Sequence, residues 1–270
     1  MVVREEWGGG MTMRTRHVFI ACTTIAILLI ASAGCMAGEN PLAGIPLPAV
    51  TLTTVNISAD GREYPAFLAV PGGSGKFPAI VLMHSFNGLE PGYREMVGNM
   101  ASDGFVTIAP EWQTYGRQQD DATVEAIVRG SLAYLGTRSE PDMNRVGLTG
   151  FCAGGRYTML FLPRMPEFRS GVAWYGFPYN GATNDSIPAS RIPELRVPML
   201  IIHGSRDMAS PVRNIYNYTT ELDAADKYFE LKVYQGKPHG FMITNGTLSQ
   251  DDPSQDAYRE MVAFFRRTLT

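Results

Sequence analysis

Cysteine and histidine are both scarce, with three cysteines and four histidines in 270 residues. Cys22 lies inside an apolar N-terminal run and Cys35 near its end, so the rest of the chain holds only Cys152. A lone thiol cannot build an internal disulfide framework. No set of His, Cys, Asp and Glu has metal-ligand spacing, and no glycine-rich phosphate loop is present, so neither a metal nor a cofactor is expected. Charge is sparse as well. The 23 Lys and Arg nearly balance the 26 Asp and Glu, for a net charge of −3, which gives no electrostatic reason for a nucleic-acid partner. No internal repeat or long low-complexity tract marks a second globular domain, and the length suits one sizeable core.

What the chain does have is a glycine-flanked thiol. Arg145 to Thr149 reads as a strand, and Gly150-Phe151-Cys152-Ala153-Gly154-Gly155 follows it directly. This is a G-x-C-x-G version of the G-x-S-x-G turn that lifts a nucleophile above a sheet between a strand and a helix. Glycines two positions either side are needed where the two backbones pass too closely for a Cβ. An isolated cysteine is more often a small buried hydrophobe, but the flanking glycines favour a nucleophile. An acid and a base follow in order. Pro198 to Gly204 reads as a buried strand leading to Asp207, and Tyr228 to Tyr234 as another strand leading to His239. Nucleophile, acid and histidine each sit just past the carboxyl end of a strand, where open α/β sheets place their sites. His203 reads as a packed residue that supports the acid, and His84 belongs to the loop after the strand Pro78 to Met83.

Elsewhere strands and helices alternate. Thr51 to Ile57 and Tyr64 to Val70 read as an antiparallel pair, and Phe105 to Ala109 and Gly171 to Tyr175 as further strands. Gly92 to Ser102, Asp121 to Leu135 and Asp256 to Thr268 have helical periodicity. The alternation predicts a mostly parallel sheet wound on both faces. Tyr179 to Leu195, rich in Asn, Pro and Ser, has no helical pattern and reads as a lid facing the substrate.

These residues resemble the dienelactone hydrolase family, through the sequence around Cys152, His203-Gly204-Ser205-Arg206-Asp207, and Pro238-His239-Gly240-Phe241. The resemblance runs from about residue 50 to the end. It implies an α/β-hydrolase fold over residues 51–270 and a Cys152-His239-Asp207 triad acting on small esters, lactones or thioesters. It implies an oxyanion hole from the backbone N–H groups of Ala153 and Phe86. Ser85, Trp112 and Phe241 are the candidate substrate contacts; for Trp112, which ends the strand after Phe105, a structural role is an equal alternative. Two positions depart from the pattern: Ser85 stands where the family carries a glutamate near the thiol, and Ile243 where it carries a substrate-binding arginine. Dienelactone itself is therefore not the expected substrate. The other class of function is a binding or interaction module on an inactive hydrolase fold; the intact triad weighs against it. In either case a monomer or homodimer is expected.

Val18 to Gly38 carries no charged side chain, and Arg14, Arg16 and His17 precede it. That polarity reads as an export signal or N-terminal membrane anchor over residues 1–38, with Met11 and Met13 as alternative starts. Ala33-Gly34-Cys35 resembles the end of a lipoprotein signal. Residues 39–50, with Pro41, Pro46 and Pro48, read as a tether. Membrane contact is expected through the N-terminus only. In fractionated native cells the protein should pellet with membranes and be released by protease added outside. Cys35→Ala should free it if a lipid is the anchor; a cytoplasmic protein retaining Val18 to Gly38 would overturn this expectation.

Overall fold

The computed structural model describes residues 49–270; residues 1–38, read from the sequence as an export signal or anchor, and nearly all of residues 39–50, read as a tether, lie outside them. In chain order the elements are β1 (Thr51–Ala59), β2 (Arg62–Val70), β3 (Phe77–Met83), α1 (Pro91–Ser102), β4 (Val106–Pro110), α2 (Asp121–Gly136), β5 (Pro141–Phe151) and α3 (Ala153–Phe161). They continue through β6 (Ser170–Trp174), β7 (Met199–Gly204), α4 (Val212–Ala224), β8 (Phe229–Tyr234), β9 (Ile243–Thr244), β10 (Thr247–Leu248) and α5 (Asp252–Thr268). Eight strands form one sheet in the order β1-β2-β4-β3-β5-β6-β7-β8. From β4 through β8 all pairings are parallel, while β1 and β2 run antiparallel at one edge. This is the mostly parallel sheet, with helices on both faces, that the alternation of elements predicts, and the α/β-hydrolase architecture that the family resemblance implies.

The central strands read as unbroken apolar runs because both faces are covered. Along β3, Val81 and Met83 enter one core while Ile80 and Leu82 enter the other, and Leu200, Ile201 and Ile202 of β7 divide in the same way. This is the period of two that a pleated strand imposes. Helices α2, α3 and α4 cover the first face through Val124, Ile127, Tyr157 and Ile215. Helices α1 and α5 cover the second through Met96, Met100, Met261 and Phe265. The β1–β2 hairpin closes on Asp60 and Gly61, with φ of 49° and 73°. Two positive φ angles match the right-handed strand twist, which suits Asp-Gly.

The segment from Tyr179 to Leu195 is not irregular throughout, as its composition suggests. It contains 3₁₀ turns at Asn184–Ser186 and Pro188–Glu194, whose short repeat and prolines leave no 3.6-residue pattern to read. It is bound to the body of the domain. The Arg156 guanidinium donates to the Asn180 and Ser186 carbonyls and makes a two-pronged pair with Asp121 at 2.8 and 2.7 Å. Ile192 and Leu195 are buried beside α3 and α4. Among the described residues no helix is long and apolar enough to cross a membrane.

All three chemistry-bearing loops leave the carboxyl ends of β5, β7 and β8, which are parallel strands. The elbow between β5 and α3 is the tightest point. A Cβ on Gly150 would lie 2.1 Å from the Gly154 carbonyl oxygen, one on Gly154 would lie 2.1 Å from that of Met83, and one on Gly155 would lie 2.3 Å from that of Trp174. Backbone cannot yield as a side-chain tip can. Gly154→Ala should therefore destabilise the fold by about 2 kcal/mol or more, read as a lower urea midpoint. An unchanged midpoint would mean that β3 and α3 separate freely.

Candidate active site

Cys152 sits between β5 and α3 with φ 57° and ψ −111°, a left-handed conformation that a non-glycine residue adopts only at a cost. Its N–H donates to the Trp174 carbonyl at 3.0 Å, and its own carbonyl accepts from Arg156 N at 3.0 Å. The strained residue is thus held from both sides, and its side chain is half-buried at the N-terminus of α3. That helix end has a partial positive charge, and the Ala153 N–H, at its first position, has no side-chain cap.

Asp207 is buried in the turn after β7. Its Oδ1 accepts from the backbone N–H groups of Ala209 and Ser210 at 2.9 and 2.7 Å. Its Oδ2 lies 2.7 Å from His239 Nδ1. His203 completes the turn from below: its Nε2–H donates to the Ser210 carbonyl at 2.8 Å and lies 3.4 Å from Asp207 Oδ2. Burial lowers the pKa of His203, with partial opposition from Ser210 and Asp207. His203 is therefore a neutral support, the role its position in the sequence suggests.

His239 is in the loop after β8, with its ring between Tyr175 and Phe177 at centroid distances of 5.1 and 5.4 Å. Burial works against the charged ring. Hydrogen bonding to Asp207 and the nearby Cys152 thiol outweigh it, and the pKa is pushed up to about 9. The Nε2 atom is buried and has no hydrogen-bond partner among the described residues. The Cys152 thiol therefore favours the charged ring without a hydrogen bond to it in the resting site, where catalytic contacts are commonly loose. The three expected residues come together at one end of the sheet.

The loop after β3 forms the opposite wall. Among the described residues the Phe86 N–H has no acceptor, while the Phe86 carbonyl accepts from Gln113 Nε2 at 3.1 Å. The Arg117 guanidinium lies 4.7 Å over the Phe86 ring. Phe86, Asn87, Gln113 and Arg117 line an open cleft of about 340 Å³. A larger concavity of about 540 Å³, against α2, contains none of the three clustered residues. Most of its charged walls are engaged in ion pairs, Arg129 and Arg164 with Glu125, and Asp121 with Arg156 outside the concavity. None of the three lines the smaller cleft either, but that cleft borders the loop after β3, where the Met83 and His84 carbonyls abut Gly154 of the elbow.

Three expected substrate contacts are placed differently. Trp112 is buried beneath the loop, stacked on the His84 ring at 5.1 Å and donating its indole N–H to the His84 carbonyl. Phe241 is buried among Trp174, Tyr175 and Tyr234. Neither presents surface to a ligand, because each is a large aromatic supporting a loop from inside. Ser85 is also buried; its hydroxyl accepts from Asn87 N at 3.1 Å and lies 3.5 Å from Glu90 Oε2. Sequence reasoning missed Tyr175 and Phe177 as neighbours of the histidine. Their position just past β6, like that of Cys152 past β5, was the available signal.

The profile of the dienelactone hydrolase family matches residues 64–269. The chain belongs to the dienelactone hydrolase family. It is accordingly a lactone or ester hydrolase. It is 28% identical over 234 residues to a Methylorubrum extorquens protein named for carboxymethylenebutenolidase, covering 79% of this chain and 80% of that one. It is 25% identical to a Bradyrhizobium protein named for 2-oxo-3-(5-oxofuran-2-ylidene)propanoate lactonase, covering 79% and 90%. The crystal structure of a Klebsiella pneumoniae protein named for dienelactone hydrolase superposes with a TM-score of 0.73 at 25% identity, covering 81% of this chain and 99% of that one.

The electrostatics of the pair can be tested directly. Asp207 favours the protonated ring, so removing its charge should let His239 lose its proton nearer neutrality, and an imidazolium beside the sulfur favours the thiolate. Asp207→Asn should therefore slow alkylation of Cys152 by iodoacetamide at pH 7.5 about fivefold or more. An unchanged rate would show that the thiol does not depend on the ring.

Proposed function

We propose that this hydrolase cleaves small, uncharged esters or lactones through an acyl-enzyme on Cys152. The observation that carries the reading is the 2.7 Å contact between Asp207 and His239 beside a thiol held on a strained elbow. His239 takes the Cys152 proton, and Asp207 holds the ring by Nδ1 and stabilises its charge. The thiolate attacks the substrate carbonyl carbon. The developing oxyanion is received by the free N–H groups of Phe86 and Ala153, assisted by the α3 dipole. His239 Nε2–H then protonates the departing alkoxide, leaving a thioester. A water molecule gives one proton to His239 and attacks the thioester carbonyl. The second tetrahedral species expels the sulfur, which recovers its proton from the ring as the acid leaves.

The charge of the substrate follows from the cations at hand. Ile243 supplies none, and the Arg156 guanidinium is already engaged by Asp121 and two carbonyls. Arg117, over Phe86, makes no ion pair among the described residues. One cation on one wall holds an anion less firmly than two would.

Steady-state hydrolysis tests both parts. Cys152→Ala should abolish turnover of a neutral short-chain ester, and the unaltered protein should process that ester with a higher kcat/KM than an anionic dienelactone. Arg117→Ala should remove most residual turnover of the anion, by about tenfold, and spare the neutral ester. Full activity after stoichiometric labelling of Cys152 would defeat the nucleophile assignment. A clear preference for the anion would defeat the substrate assignment.

A further inference from the structure

His84 is a buried histidine that the proposed chemistry does not use, yet it adjoins the loop expected to bind the oxyanion. Its ring is stacked on Trp112, with an interplanar angle of 15°, and its Nδ1 lies 2.8 Å from the Ser85 carbonyl oxygen. A carbonyl only accepts, so the Nδ1 carries the proton. The Nε2 is buried without a partner. That is tolerable for a bare lone pair and costly for an N–H. Burial lowers the ring's pKa to about 4, against a smaller opposing effect of the Ser85 carbonyl, so it is neutral at physiological pH. The tautomer with one proton, on Nδ1, is the one this environment selects.

The Ser85 carbonyl belongs to the same peptide unit as the Phe86 N–H. No peptide bond among the described residues is cis, so in this planar unit the two groups point in opposite directions. Fixing one aims the other. The Gly88 N–H also reaches the Ser85 carbonyl, at 3.2 Å, closing a turn over Phe86 and Asn87. The His84 ring adds a second, shorter bond from the protein interior. The indole of Trp112 holds the His84 carbonyl, and Gln113 holds that of Phe86. Three successive carbonyls are thus tied down, and the Phe86 N–H is left free.

We propose that His84 is a positioning residue for oxyanion binding, holding the Ser85 carbonyl so that the Phe86 N–H faces the carbonyl oxygen of a substrate joined to Cys152. The proposal rests on the acyl-enzyme reading above and deepens it. His84 acts through the peptide and does not touch the substrate.

The test separates this role from general support of the fold. Losing one oxyanion donor costs about 10²- to 10³-fold in kcat, and misaiming one costs less. His84→Leu should lower kcat for p-nitrophenyl acetate about 10- to 100-fold with little change in KM. Alkylation of Cys152 by iodoacetamide, which develops no oxyanion, should stay within about twofold. His84→Asn places an amide N–H where Nδ1 was and should restore most of kcat; His84→Gln reaches the Nε2 position and should not. If His84→Leu fails to fold, the Asn–Gln comparison carries the test. Equal kcat in those two variants, full kcat in His84→Leu, or alkylation falling in parallel with hydrolysis would overturn the proposal. Phe86→Pro, which removes the N–H itself, separates the two readings. Full hydrolysis by that variant defeats the oxyanion assignment and the clamp together, whereas a loss there with none in His84→Leu defeats the clamp alone.

Discussion

The whole site depends on a backbone crossing. Cys152 can hold a left-handed conformation only because the strand before it and the helix after it are pressed against neighbouring main chain. The peptide oxygens of Met83, Trp174 and Gly154 occupy the space where side chains on Gly154, Gly155 and Gly150 would stand. This packing fixes the thiol at the mouth of α3, brings the loop after β3 beside it, and leaves the Ala153 N–H uncapped. The strain at one residue is retained because the surrounding sheet over-determines it. Large aromatics support the same region from below: Phe151 stacks on Trp174 at 4.9 Å and meets Tyr93 at 5.2 Å.

Much of this was legible in the sequence because it is written in short-range pattern. The elbow glycines, the apolar strands and the polar residues just past them are local features, and the order Cys152, Asp207, His239 translates directly into three loops at the same end of a parallel sheet. The Asp60-Gly61 turn is legible for the same reason. What was not legible depends on packing between distant segments. Nothing in the sequence near Trp112 says that its ring lies under His84 instead of in the cleft, because an aromatic after a strand can turn either way. Phe241 was misread for a related reason. It follows His239 by two positions, yet the loop turns it inward against Trp174 and Tyr175. The bond between Arg156 and Asp121 joins residues 35 positions apart, and the turns of the segment it braces have no helical period to detect.

The histidines show how environment assigns roles to one side-chain type. His84 and His203 are both buried, each with one ring nitrogen donating to a carbonyl and the other without a partner. In both, loss of hydration outweighs the favourable contacts, and the pKa falls. His239 makes the opposite balance, because it faces an anion at 2.7 Å and a thiol on its other side.

That difference also explains why the neutral pair matters to the charged one. An imidazolium at His203, 3.4 Å from Asp207 Oδ2, would compete with His239 for the same carboxylate oxygen. Keeping His203 uncharged reserves the full charge of Asp207 for His239. Its single proton goes instead to Ser210, whose N–H is bound to the other carboxylate oxygen. A buried neutral histidine can therefore fix the direction of a carboxylate without reducing its strength, and a lysine or arginine at position 203 could not do both.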